Sequence, residues 1–255
     1  MRTIRDEVRS GEKKFGTWCN LGSSLTVEMA GTAGLDWVLI DLEHGAGTFS
    51  ELRYQLQGAT AGKITPIVRL PWNELPYFKS ALDLGAAGVM VPYVNTPEEA
   101  ALAVSRMRYP PAGTRGVAKL NRASAFGSNF ESYFADANSS LLCVVQIETA
   151  DAVASAHAIA EVDGVDVLFV GPLDLSVNMR TQPNLDAPPF SDAMVAVVTG
   201  ASKAGKAAGI LLASESQIPR ALELGFTFVA LGSDGSMVLN GMTAVATAFS
   251  RFTTQ

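Results

Sequence analysis

Glu148 and Asp174 each follow a strongly apolar run, in Val145-Gln146-Ile147-Glu148 and Phe169-Val170-Gly171-Pro172-Leu173-Asp174. Two carboxylates at the ends of rigid elements can hold one hard divalent cation and leave positions open for water and substrate. The same pair also suits ordinary rim acids that meet a lysine or arginine. His44, one of two histidines in the chain, sits in Asp41-Leu42-Glu43-His44-Gly45. An imidazole beside two carboxylates suits a general base tuned near neutrality, or a hydrogen-bonded structural residue. Arg69 follows Ile67-Val68, so its guanidinium must emerge at the end of a buried element or find a buried partner. It suits a developing oxyanion or a substrate carboxylate, and equally an ion pair with Glu43 or Glu148. The other histidine, His157, falls in a helical pattern and reads as a surface or packing residue. No lysine stands where a Schiff base would need one: only Lys119, in a long connection, comes near. A Gly-x-Ser-x-Gly elbow and a phosphate-binding loop are both missing, which leaves acyl-enzyme and nucleotide chemistry without support.

Side chains with these tasks need elements that hold them at one rim. Apolar, β-branched runs cover 15–21, 37–42, 65–70, 88–94, 141–147, 165–170, 208–212 and 227–231. Most lack polar alternation, as expected of parallel strands buried on both faces. Amphipathic helical patterns lie between them, at 73–84 and 149–160 among others. Thr96-Pro97-Glu98-Glu99 supplies an N-cap, a first-turn proline and acids at the positive end of the helix dipole. Ser214-Glu215-Ser216-Gln217 has capping-box spacing and leads to a stop at Leu224-Gly225. This arithmetic predicts an α/β chain folded as a (β/α)₈ TIM barrel, one domain over 1–255. Active sites of that fold lie at the carboxyl ends of the strands, where Asp41, His44, Arg69, Glu148 and Asp174 fall. The connection 109–138 breaks the rhythm and is expected to serve function or a partner subunit.

The 255 residues are 48% hydrophobic and 17% charged, with a net charge of −6, which excludes disorder and gives no basic stripe for nucleic acid. The first residues carry acids among the bases and no apolar core follows, so no signal peptide is read there. No apolar stretch is long enough to span a bilayer. Cys19 and Cys143 sit in apolar runs and read as buried thiols in a reducing cytoplasm.

The segments Asp36-Trp37-Val38-Leu39-Ile40-Asp41-Leu42-Glu43-His44, Pro66-Ile67-Val68-Arg69, Leu82-Asp83-Leu84-Gly85 and Arg108-Tyr109-Pro110-Pro111-Ala112-Gly113-Thr114-Arg115-Gly116 make the chain resemble a known family. Val145-Gln146-Ile147-Glu148-Thr149 and Phe169-Val170-Gly171-Pro172-Leu173-Asp174-Leu175-Ser176 extend the likeness. The family is the HpcH/HpaI family of metal-dependent class II pyruvate aldolases. The resemblance implies a (β/α)₈ barrel and reversible cleavage of 4-hydroxy-2-oxo acids to pyruvate, or hydroxypyruvate, and an aldehyde through a metal-stabilised enolate. It implies that Glu148 and Asp174 hold a divalent ion (Mg²⁺, Mn²⁺ or Co²⁺), that Arg69 stabilises the enolate oxygen, and that His44 is the base, acting with Asp83. Trp18, Asp41 and Gln146 would line the pocket, and backbone N–H groups around Gly171, Leu173 and Asp174 would hold the substrate carboxylate. A cytoplasmic homo-oligomer, a hexamer by analogy, would follow, with the carboxyl-terminal helix packed on a neighbouring subunit. Oxaloacetate decarboxylation or citryl-CoA cleavage on the same site, and a non-catalytic barrel, are the alternatives. Leu42, Lys119-Leu120-Asn121 and Met179-Arg180 depart from the family's usual residues and bear on the aldehyde side or the subunit contact.

Overall fold

Alternation along each strand decides which side chains point into the barrel. The computed structural model describes residues 2–253; Met1, Thr254 and Gln255, the ends of the expected 1–255 domain, lie outside them. The strands are β1 Lys14–Cys19, β2 Trp37–Asp41, β3 Thr65–Arg69, β4 Gly88–Val91, β5 Leu142–Ile147, β6 Val167–Val170, β7 Ala207–Leu212 and β8 Phe228–Ser233. Each pairs in parallel with the next, and β8 returns to β1, so the sheet closes in chain order. The expected (β/α)₈ barrel is the fold.

Two apolar clusters follow from the period of two. Trp37, Leu39, Ile67, Leu142, Val144, Phe169 and Phe228 fill the interior, with Trp37 stacked on Phe228 at 4.1 Å between ring centroids. Val38, Ile40, Val68, Val145 and Leu168 point outward to the helices and form the larger cluster. At the amino-terminal end of the barrel, the helix Ile4–Arg9 packs Ile4 and Val8 on the interior cluster. Its Arg5 and Arg9 meet the buried Asp166 carboxylate at 2.9 and 2.7 Å. At the other end the inward-facing positions turn polar. Trp37 and Leu39 are followed by Asp41, Ile67 by Arg69, and Leu142 and Val144 by Gln146 and Glu148.

Three local expectations change. The strand expected to run to residue 94 ends at Val91, because Tyr93 takes a left-handed conformation with φ 51°. The helix expected over 149–160 is two, Ala150–Ala154 and Ala156–Glu161, parted at Ser155, whose φ −93° and ψ 1° leave the helical range. The connection expected over 109–138 is irregular only in its first two thirds, since Phe130–Ser140 is helical. A stripe of Phe130, Tyr133, Phe134 and Ala137 at helical spacing explains it. The capping expectations hold: the Thr96 hydroxyl accepts from Glu99 N, and Ser214 and Gln217 form a reciprocal box.

Candidate active site

Asp41 organises the β2 end of the rim. Asp41 and Arg69 are register partners on β2 and β3. Arg69 Nε donates to Asp41 Oδ1 at 2.9 Å and Nη2 to Oδ2 at 2.7 Å. Asp41 Oδ1 also accepts from the backbone N–H groups of Glu43 and His44, at 3.0 and 3.2 Å. These bonds fold the turn back over the strand end, and a Cβ at Gly45 would stand 2.1 Å from the Asp41 carbonyl oxygen, so only glycine passes there. The Trp18 ring lies 5.6 Å from the Arg69 guanidinium carbon, a cation–π contact that fixes the fork from the side. Arg69 Nη1 is 2.9 Å from Glu43 Oε2, so the ion pair with Glu43 that the sequence left open is made. Burial works against the Arg69 charge, yet Asp41 and Glu43 hold its pKa above the ordinary value. Burial raises Glu43, with Arg69 opposing.

His44 sits at the mouth with its side chain 69% exposed, and its Nε2 is 3.9 Å from Glu43 Oε1. An exposed imidazole that no strong contact consumes is free to exchange protons with a bound molecule.

Glu148 is 2% exposed at the end of β5. Its Oε1 accepts from Gln146 Nε2 at 2.8 Å, and its Oε2 from the N–H of Tyr93 at 3.2 Å. Gly171 is glycine because a Cβ there would stand 2.4 Å from Glu148 Oε1. Burial pushes the Glu148 carboxyl up to about 7; the Tyr93 N–H opposes this, and the charges of Asp174 and Glu43 add to it. Glu148 and Asp174 line the same cavity, and the Arg69 fork, whose charge reaches Glu148, makes its hydrogen bonds to Asp41. Gln146 Oε1 is buried with no hydrogen-bond donor among the described residues. Oxygen donors with unbalanced negative charge fit a hard divalent ion. The fit rests on two carboxylates alone: among the described residues no group of three or more His, Cys, Asp or Glu could hold a metal.

Tyr93 escapes the sequence reading. Its N–H reaches Glu148, its ring lies 5.9 Å from Trp72, and its hydroxyl lies within electrostatic reach of the Asp174 carboxylate. A positive φ is uncommon for an aromatic residue, and such strain gathers at functional sites. The available signal was its place just after an apolar strand, in Val91-Pro92-Tyr93. Burial and the three neighbouring carboxylates raise its pKa.

One cavity of about 590 Å³ gathers Trp18, Asp41, His44, Arg69, Gln146 and Glu148 with Gly171, Leu173 and Asp174. Asp83 is not brought there. Its carboxylate, on the last residue of the helix Leu75–Asp83, takes a 2.8 Å bond from Arg115 Nη2. Arg115 is fully buried between the rings of Tyr109 and Tyr133. No direct contact joins Asp83 to His44 among the described residues of this chain. His157 packs at a helix surface, with Nδ1 3.3 Å from the Gly200 carbonyl oxygen. Asp234, at the end of β8, takes bonds from Asn20 N and the Thr26 hydroxyl and ties the start of the last helix to β1.

The family model described as HpcH/HpaI aldolase/citrate lyase matches residues 14–241. A 4-hydroxy-2-oxo-heptane-1,7-dioate aldolase of Klebsiella pneumoniae subsp. pneumoniae is 40% identical over 247 residues, which is 96% of this chain and 93% of that protein. Its counterpart in Salmonella arizonae is 39% identical over 96% of this chain and 94% of its own length. The crystal structure of an HpcH/HpaI aldolase/citrate lyase family protein from Burkholderia cenocepacia superposes with a TM-score of 0.91 at 33% identity, covering 97% of this chain and 98% of that one. The chain belongs to the HpcH/HpaI aldolase/citrate lyase family.

Proposed function

We propose that the chain is a divalent-metal-dependent aldolase that makes and breaks the C3–C4 bond of 4-hydroxy-2-oxo acids, with pyruvate or hydroxypyruvate and an aldehyde as the fragments. One observation carries this reading: a single cavity joins the buried Glu148 and half-buried Asp174 carboxylates, a fixed arginine fork and an exposed histidine.

Glu148 and Asp174 are the residues that would hold Mg²⁺, Mn²⁺ or Co²⁺. When bound, such an ion supplies Lewis-acid stabilisation of the charge that develops on the keto oxygen. Arg69 adds a second positive charge, preorganised by Asp41 and Trp18, toward the same oxygen. N–H groups in the first turn of the helix Pro172–Asn178, at Leu173 and Asp174, have no intrahelical partner and suit the substrate carboxylate, beside Gly171. His44 takes the proton of the C4 hydroxyl in cleavage. In the synthetic direction it takes a proton from C3 of pyruvate. Trp18 and Gln146 shape the wall around the keto acid.

The chain works as a homo-oligomer, a hexamer by family analogy. The last helix, Asp234–Thr253, supports this by exposing Met237, Leu239, Met242, Val245 and Phe249, an apolar surface suited to a neighbouring subunit. The free, buried Cys19 and Cys143 support a reducing cytoplasm as its compartment. No helix among the described residues is long and apolar enough to cross a membrane.

The test is incubation of the protein and Mn²⁺ with a synthetic 4-hydroxy-2-oxo acid, followed by assay of both fragments. Pyruvate and aldehyde released in equal amounts are expected. Pyruvate without aldehyde would contradict the aldolase reading, as would no pyruvate with any of the three ions.

A further inference from the structure

The loop after β4 is tied to the end of β5 at three consecutive residues. Tyr93 N–H donates to Glu148 Oε2 at 3.2 Å, and Val94 N–H donates to the Gln146 carbonyl oxygen at 3.3 Å. Asn95 Oδ1 accepts from the Thr149 hydroxyl. The Asn95 side chain also turns back on its own loop, where Nδ2 donates to the Tyr93 carbonyl oxygen at 3.1 Å. Its backbone N–H donates to Glu99 Oε2 at 2.7 Å, so the backbone and side chain of this one residue are both fixed. Between the held N–H and the held carbonyl of Tyr93 lies the left-handed conformation, with φ 51°. A residue with a Cβ leaves that region unless its surroundings keep it there. The Asn95 carboxamide, oriented from the β5 side by Thr149, supplies that hold.

We infer that Asn95 is a positioning residue of the metal site, acting through Tyr93. The inference rests on the aldolase reading, in which Glu148 holds the ion, and specifies how this chain aims that ligand. Glu148 is gripped from two sides, by Gln146 Nε2 on Oε1 and by Tyr93 N–H on Oε2. An ionised carboxylate offers about four lone-pair sites, so two donors still leave each oxygen able to meet a cation. Gripped in this way, the carboxylate has little rotamer freedom left to lose when an ion binds. Gln146 stands on the strand itself. Tyr93 stands on a loop, and its N–H is placed only as firmly as Asn95 and Thr149 tie that loop down. Groups that orient a metal's ligands set its affinity nearly as strongly as the ligands do.

Asn95→Ala removes the side-chain bonds to Tyr93 and Thr149 and keeps the backbone bond to Glu99. In the full-length protein it should weaken Mn²⁺ binding, measured by calorimetry, by about ten-fold. It should also shift the visible absorption of bound Co²⁺, which reports the arrangement of the ligands and which a loss of stability alone would not move. Thr149→Ser keeps a hydroxyl for Asn95 and for the N–H of Ala152, and should bind Mn²⁺ as the unaltered protein does. Thr149→Val removes that hydroxyl and should reproduce the loss, which keeps the test open should Asn95→Ala not fold. Mn²⁺ affinity within about two-fold of the unaltered protein, with an unmoved Co²⁺ spectrum, in whichever of these two variants folds would overturn the positioning role. An unaltered protein that binds no Mn²⁺ would instead overturn the metal-dependent reading beneath it, so the two failures are distinguishable.

Discussion

Arg69 grips Asp41 across adjacent strands, with Nε and Nη2 each on its own carboxylate oxygen at 2.9 and 2.7 Å. The two are register partners at the last positions of β3 and β2, so the fork is set by the barrel's own hydrogen bonding. Arg69 Nη1 lies near Glu43 Oε2, but that oxygen takes no hydrogen bond from the described residues. Part of the guanidinium's donor capacity is therefore left for an oxygen in the cavity.

Lysine cannot reproduce this planar, two-pronged contact. Arg69→Lys is expected to lower kcat for cleavage by about 10²–10³-fold, the magnitude of losing a fixed oxyanion donor. Mn²⁺ binding, measured by calorimetry, should persist. A rate within a few-fold of the unaltered protein would remove Arg69 from the chemistry.

Glu148 is buried, and its carboxyl is pushed up to about 7. Ionising it without a metal is therefore unfavourable. Glu148→Gln keeps the shape and removes the charge, so the metal-free variant should unfold at or above the temperature of the unaltered protein at pH 8. Mn²⁺ at a hundred times its dissociation constant should stabilise the unaltered protein by about 2.7 kcal/mol and the variant not at all. Equal stabilisation of both, in thermal melts, would place the ion elsewhere.

At the opposite end of the barrel, Asp166 has no exposed side-chain surface, pairs with Arg5 and Arg9, and accepts from Cys143 N at 3.0 Å. Asp166→Asn leaves Arg5 buried against a neutral amide, and urea denaturation should show a loss of about 3–5 kcal/mol. Turnover at 25 °C should stay unchanged, because the pair lies away from the cavity. A loss below about 1 kcal/mol would mean that the cluster is not a buried ion pair.

Both thiols are buried, and burial pushes each up to about 12. Since the thiolate is the reactive form, neither Cys19 nor Cys143 should react with an aromatic disulfide reagent at pH 8 in the native protein. Both should react after denaturation. Rapid labelling of the native protein would contradict the burial.

The barrel was legible because its strands are buried on both faces and so are written as apolar runs, while the polar residues that end β2, β3 and β5 or follow them mark the rim. Asp41, Arg69, Gln146 and Glu148 could be read this way, and strand alternation brings all four to one cavity. What could not be read depends on contacts across the chain. Tyr93 is held in a left-handed conformation beside Glu148 and Asp174, and nothing in its own segment requires that. The bond from Arg115 to the Asp83 carboxylate joins positions 32 apart and has no local signal in either segment. The helix Phe130–Ser140 was legible in its apolar stripe and was hidden by the proline- and glycine-rich stretch before it.

The most direct test of the central claim is deuterium exchange at C3 of pyruvate, followed by proton NMR in D₂O without any aldehyde. The unaltered protein should exchange these protons with Mn²⁺ or Mg²⁺ and not after chelation, and His44→Ala should slow the exchange by about 10²–10⁴-fold with the metal still bound. Exchange at full rate under chelation, or no exchange with either ion, would contradict the account.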